Sequence, residues 1–115
     1  MTAPAAATRR ATTTHRNEVH VTGRLSTYVD ERVLPSGDEV VSWRLIVDRP
    51  AEGERAGIDA IDCVAFATRL RRAAVKWQPG EVIEVDGALR RRFWRNDAGT
   101  ASRFEVEVSR AVRLR

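Results

Sequence analysis

The chain of 115 residues contains one cysteine, so no disulfide can form within it, and a reducing compartment suits a thiol that stays unpaired. Its two histidines, His15 and His20, and that thiol, Cys63, fall short of the four ligands of a structural zinc site and share no paired spacing. No apolar run approaches the roughly 18 residues of a membrane span, and the N-terminus lacks the apolar segment of a secretory signal. The glycine-rich phosphate loop of nucleotide hydrolases is missing. Asp59 and Asp62 flank Ile61 with no nucleophile or base beside them, so no catalytic constellation forms. These absences leave the expectation of a soluble, cytoplasmic, non-enzymatic protein with no metal, no other cofactor and no membrane partner.

Lysine is nearly absent too: Lys76 stands against nineteen arginines, and the distribution of charge says more than its sum of +4. Residues 1–16 carry three arginines and no acid, residues 17–62 five arginines against ten acids, and residues 63–115 twelve bases against six acids. Positive charge therefore gathers in the second half, where a polyanionic partner is expected.

Residues 1–16 (MTAPAAATRRATTTHR) lack apolar periodicity and read as a disordered tail ahead of a single domain over residues 17–115. From Asn17 the texture changes. NEVHVTGRL alternates, with Val19, Val21, Gly23 and Leu25 on one face of a first strand. Pro35-Ser36-Gly37-Asp38 signals a turn, and EVVSWRLIVD then aligns Val41, Trp43, Leu45 and Val47 along a second strand. An acidic loop over residues 50–57 leads to a third strand, IDAIDCVAF. The period then switches: Leu70, Ala73, Ala74 and Trp77 share one side of a helix over residues 68–77, with Thr68 as N-cap, Pro79-Gly80 as stop and Arg69, Arg71 and Arg72 on a solvated face. EVIEVDG opens a fourth strand that runs into the fifth. Trp43, Trp77 and Cys63 are expected in the core, and both indole N–H groups then need acceptors.

The fourth and fifth strands meet in DGALRRRFWRNDAGTASRFEVEV, two alternating runs joined by a glycine-containing turn, which reads as a long β-hairpin. Its first arm sets Arg90, Arg91, Arg92 and Arg95 around Phe93 and Trp94. Guanidinium groups beside exposed aromatics neutralise phosphates and stack on bases, the pairing used to hold single strands. Three strands, a helix and two strands give an all-β class: a five-stranded OB-fold barrel with a short helix between strands three and four and an extended hairpin of strands four and five. A generic α+β sandwich has the same element order.

NEVHVTGRL, the turn at Pro35, WRLIV, CVAF, and Pro79-Gly80 followed by VDGALRRRFW, in this order, resemble the bacterial single-stranded DNA-binding protein family. The resemblance covers roughly residues 17–110 and is nearest to its short, arginine-rich actinobacterial members. It implies that Trp94 and Phe66 stack on bases and that Arg90 and Arg92 are basic binding positions. Arg91, Arg95, Arg103, Phe93, Arg24 and Arg44 join them as candidates from the residues themselves. Two stacking positions are lost: the loop after the second strand has no aromatic, and Ala60 stands where a tryptophan is expected. Asp62 replaces a basic residue. At about 1 to 3 kcal/mol per stacked base, affinity should be lower than the family's pattern implies.

The expected function is thus to bind and protect single-stranded DNA with little sequence preference in replication, recombination or repair, at the nucleoid. RNA is chemically compatible with the same platforms. The resemblance implies a homotetramer, with a dimer second. The chain closes on Arg113-Leu114-Arg115, so the acidic tip with which family members recruit repair proteins is not expected here. The rival reading is an OB-fold accessory or replication-restart protein acting mainly through protein contacts.

Overall fold

The computed structural model describes residues 14–50 and 56–115. Most of the expected tail, residues 1–13, and the middle of the acidic loop, residues 51–55, lie outside the described residues. The elements are β1 (Val19–Leu25), β2 (Asp30–Val33), β3 (Glu39–Asp48), β4 (Ile58–Ala65), α1 (Thr68–Ala74), β5 (Val82–Asn96) and β6 (Gly99–Arg113). One sheet runs β1-β5-β6-β4-β3-β2, and β1 also pairs with β3, which closes five of the strands into a barrel. Every pairing is antiparallel except β4 with β6, where Cys63 lies opposite Val106 and Val64 opposite Glu107. A closed five-stranded barrel with a helix between its third and fourth barrel strands is the OB architecture, so the α+β sandwich is set aside.

Closure depends on a residue without a side chain. A Cβ on Gly23 would sit 2.7 Å from the Ile46 carbonyl oxygen, at the crossing where β1 leaves β5 for β3. The alternating apolar residues of each strand converge inside: Leu25, Val41, Trp43, Leu45, Cys63, Ala65, Ile83, Val85, Val106 and Val108 form one cluster, with Ala74 and Trp77 capping it from the helical segment. Trp43 and Trp77 meet edge to face, with ring centroids 5.1 Å apart and planes at 88°. Both are buried as expected, but the buried Trp43 Nε1 has no acceptor among the described residues. Cys63 is a buried thiol whose pKa is pushed up to about 12, by burial first and then by Asp62 and Glu105. At that value it stays protonated and behaves as a small apolar side chain.

Four local expectations are corrected. The short β2, Asp-Glu-Arg-Val, is hidden in the sequence by its polarity: all four residues are exposed, and it exists because it pairs with residues 39–42 of β3 across a turn whose Gly37 has φ 94°. The helix is capped by Ala67 with no side-chain bond, not by Thr68, whose hydroxyl instead accepts from Arg71 at 3.2 Å. Its last residue is Ala74, and Trp77 follows on tighter turn bonds, Lys76 N–H to Ala73 and Trp77 N–H to Ala74. Arg71 is no solvated face residue: its guanidinium also holds the Phe66 carbonyl at 3.0 Å and Glu39 at 3.2 Å, tying the helix to β4 and β3.

Candidate nucleic-acid interface

β5 and β6 each have 15 residues, far longer than the barrel needs, and they pair continuously from Ile83 opposite Arg113 to Asn96 opposite Gly99. One bulge interrupts them at Asp86 and Gly87, where Ser109 is the extra residue of β6. Gly87 is required there, because a Cβ would collide with the backbone of Glu107. Past Leu89 and Val106, the last core residue of β6 before the tip, the ribbon leaves the barrel. The Asn17 side chain caps this exit by bonding both backbone groups of Leu89, each at 2.8 Å. At the tip, Asn96 Oδ1 accepts from the Ala98 N–H at 2.9 Å, and Gly99 takes φ 121°.

Past the barrel rim, alternation gives the ribbon two outward faces. One face carries Arg90, Arg92 and Trp94 with Arg103, Glu105 and Glu107 across the ladder. Arg92 lies directly opposite Arg103, a like-charge pair that is destabilising unless it shares a counter-ion. Glu105 supplies it: buried at 4% exposure, its carboxylate meets Arg92 at 3.1 Å and Arg103 at 3.6 Å. Arg90 reaches Glu107 at 3.0 Å. Trp94 stands 45% exposed beyond them.

This face opens into a groove. A depression of about 290 Å³ is lined by Arg32, Arg92, Phe93, Trp94 and Arg103. A second, of about 320 Å³, adjoins it and shares Arg32 and Arg103, and its lining includes Tyr28, Asp30, Arg44 and Asp62. The path therefore leads from Trp94 past three guanidinium groups to the exposed Tyr28 ring. Arg44 is bonded to Asp62 at 2.9 Å and Arg32 approaches Asp30 at 3.5 Å. Most of the groove's cations are thus already balanced by carboxylates, and phosphate must compete with those partners.

The opposite face holds Leu89, Arg91 and Phe93 with Ser102 and Phe104 across the ladder. The Arg91 guanidinium carbon lies 5.0 Å from the Phe93 centroid and 5.3 Å from that of Phe104.

Of the sequence candidates, Trp94, Arg92, Arg103 and Arg44 meet in the groove, Phe93 contributes to its lining although its ring lies against Arg91 on the other face, and Arg90 stands beside it on the same ribbon face as Trp94. Arg91, Phe93 and, by alternation, Arg95 turn to the other face. Two are not brought in. Arg24 lies on β1 opposite Val82, paired with Asp48 at 3.2 Å. Phe66, 36% exposed, follows the end of β4. Since Val64 is level with Glu107 while Trp94 is opposite Ala101, Phe66 lies toward the base of the ribbon, about eight residues or roughly 26 Å along the strand from Trp94. Sequence reasoning missed Arg32, which enters the site on the unrecognised β2, Tyr28, which lies two residues before that strand, and Phe104, whose alternation with Val106 and Val108 reads as core.

Comparison with known proteins places this geometry. Over 86 residues the chain is 35% identical to single-stranded DNA-binding protein 1 of Staphylococcus aureus (strain COL), covering 72% of this chain and 51% of that protein. It is 33% identical over 86 residues to single-stranded DNA-binding protein A of Bacillus subtilis (strain 168), covering 72% of this chain and 49% of that one. The chain therefore spans about half the length of the curated relatives it matches. The solved structure of a Plasmodium falciparum SSB complex with ssDNA matches with a TM-score of 0.78 at 19% identity, over 88% of this chain and 96% of that chain, a likeness of fold. The model of the single-strand binding protein family matches residues 16–114, which takes in the whole barrel and ribbon, and the chain belongs to that family.

Proposed function

We propose that this protein binds and protects single-stranded DNA with little sequence preference, in replication, recombination or repair. The observation that carries the reading is the exposed Trp94 at the mouth of a groove walled by Arg32, Arg92 and Arg103, on a ribbon projecting from an OB barrel. The relatives' names and the DNA in the Plasmodium falciparum complex support it. Backbone phosphates meet the arginines, and a base stacks on the indole. Neither contact reads base edges, so sequence preference is small. RNA offers the same phosphate and base faces. Phe66 extends the path only for a strand long enough to reach the base of the ribbon.

Assembly belongs to the same proposal. β1 pairs with β3 only at Arg24 and Leu25, so residues 19–23 keep an open edge on that side among the described residues. An open edge is a template for strand addition, and a homotetramer, with a dimer second, multiplies weak sites on one strand. A cytoplasmic, nucleoid-associated location follows from the ligand. No helix among the described residues is long and apolar enough to cross a membrane.

Tryptophan emission tests the reading well, because Trp43 and Trp77 are buried and Trp94 is the exposed reporter. Oligothymidine should quench the wild type, less so as salt rises, and leave Trp94→Ala nearly unquenched. Unchanged emission with no gel shift at low salt would overturn the proposal and favour the protein-contact reading.

A further inference from the structure

The two faces of the ribbon differ in charge balance. On the Trp94 face, Arg90, Arg92 and Arg103 each meet a carboxylate, Glu107 or Glu105, at 3.0 to 3.6 Å. On the opposite face, alternation sets Leu89, Arg91, Phe93 and Arg95 on β5 against Thr100, Ser102 and Phe104 on β6, with no acid among them. Arg91 donates to the neutral Ser102 hydroxyl at 3.1 and 3.2 Å, and neither Arg91 nor Arg95 has a carboxylate partner among the described residues. The ribbon's uncompensated charge is therefore on the side away from Trp94. Two rings lie open beside it, Phe93 at 63% and Phe104 at 56% exposure.

We infer that Phe93, Arg91 and Phe104 form a second base-stacking platform for single-stranded nucleic acid, on the ribbon face opposite Trp94. The inference rests on the DNA-binding reading and adds a site to it. Rings that flank a guanidinium offer the base a stacking surface and the adjoining phosphate a cation, and here no carboxylate has to be displaced first. A duplex keeps its base faces stacked inside and cannot use such a platform. Reaching both faces is geometrically simple. The ribbon is two strands wide, and β1 covers the β5 edge only as far as Val19 opposite Gly87, with Asn17 on Leu89, so the edge beyond is open to a strand crossing over it. The absence of acids argues against a basic partner segment, and the two arginines argue against a second copy of this same face, which would bring like charges together.

Phe104→Ala removes an exposed ring and leaves the barrel core intact. Fluorescence anisotropy with labelled oligothymidine should show affinity for long strands falling about 5- to 100-fold, while Trp94 emission is still quenched at saturation. Arg91→Gln should flatten the dependence of log affinity on log salt by about 0.7. If the wild type binds and both variants match it in affinity and salt slope, the second platform is overturned and the Trp94 groove stands. If the wild type does not bind, the parent reading falls and this one with it. If Phe104→Ala changes the sedimentation coefficient of the free protein but not its affinity per protomer, the face is an interface between copies and the inference is likewise overturned.

Discussion

β5 and β6 are built from the same alternating pattern at both ends, yet the two ends do different work. At the base, Ile83, Val85, Val106 and Val108 point into the barrel and are buried. A few residues further on, the same side of the ribbon carries Leu89, Arg91, Phe93 and Phe104, which are exposed. Nothing in the period changes between them. What changes is the partner: β6 pairs with β4 at Cys63 and Val64, and past that rim no strand faces the ribbon among the described residues. Burial makes the first set structural, and its loss leaves the second set available for a ligand.

Substitutions at the two ends should therefore separate stability from binding. The largest effect is expected at the base: Ile83→Ala empties a fully buried site and should lower unfolding free energy by about 2 to 5 kcal/mol in a urea titration, with DNA binding lost only as the protein unfolds. Next, Trp94→Ala at the tip should leave the urea midpoint near the wild type and weaken oligothymidine binding by about 1 to 3 kcal/mol. If the tip variant is also unstable, the ribbon is part of the core and the contrast fails.

A finer test concerns the counter-ion under the groove. Glu105→Gln keeps the size of the side chain but removes the charge that Arg92 and Arg103 share. Affinity for single strands should rise, and the salt dependence should steepen by about 0.7 for each further phosphate that the freed arginines neutralise. A fall in affinity without loss of folded protein would mean that Glu105 holds the arginines in their binding geometry.

The smallest effect is expected at the outer face near the bulge, where His20 Nδ1 meets Asp86 at 2.6 Å and Arg110 meets Asp86 at 2.9 Å. The bond to Asp86 raises the His20 pKa above its ordinary 6.5. That contribution to stability is fully present below 6.5 and fades as pH rises through the raised value. The bonds from His20 and Arg110 lower the Asp86 pKa below 3.8, so its contribution is present above 3.8 and fades as pH falls through the lowered value. Both act together between about pH 4 and 6.5. The thermal midpoint of the wild type should exceed that of His20→Gln most within this window, and the gap should shrink toward pH 8. A gap that stays constant with pH would remove the ion pair from the explanation.

The barrel is largely legible in the sequence because its strands are half-buried and carry period-two patterns, as in Val41, Trp43 and Leu45. β2 is not, since Asp30, Glu31 and Arg32 have no apolar face and the strand exists only through its pairing with β3. The opposite orientation of Phe93 and Trp94 follows from alternation and is readable in advance. The ion pairs are not, because which glutamate meets Arg92 depends on the register across the ladder, and that register is shifted by one residue at Ser109. Phe104 shows the same limit: its pattern continues the core pattern, and only the height of the barrel rim makes it a surface residue.

Binding centred on the ribbon's Trp94 is best tested by an amide and indole correlation spectrum of the protein recorded as oligothymidine is added. Three indole N–H signals are expected, two from the buried Trp43 and Trp77 and one from Trp94. The Trp94 signal should shift strongly, together with backbone amides of the ribbon beyond Gly87, while the two core indoles move far less. A titration that moves the core indoles and leaves Trp94 in place, or moves none of the three, would refute ribbon binding.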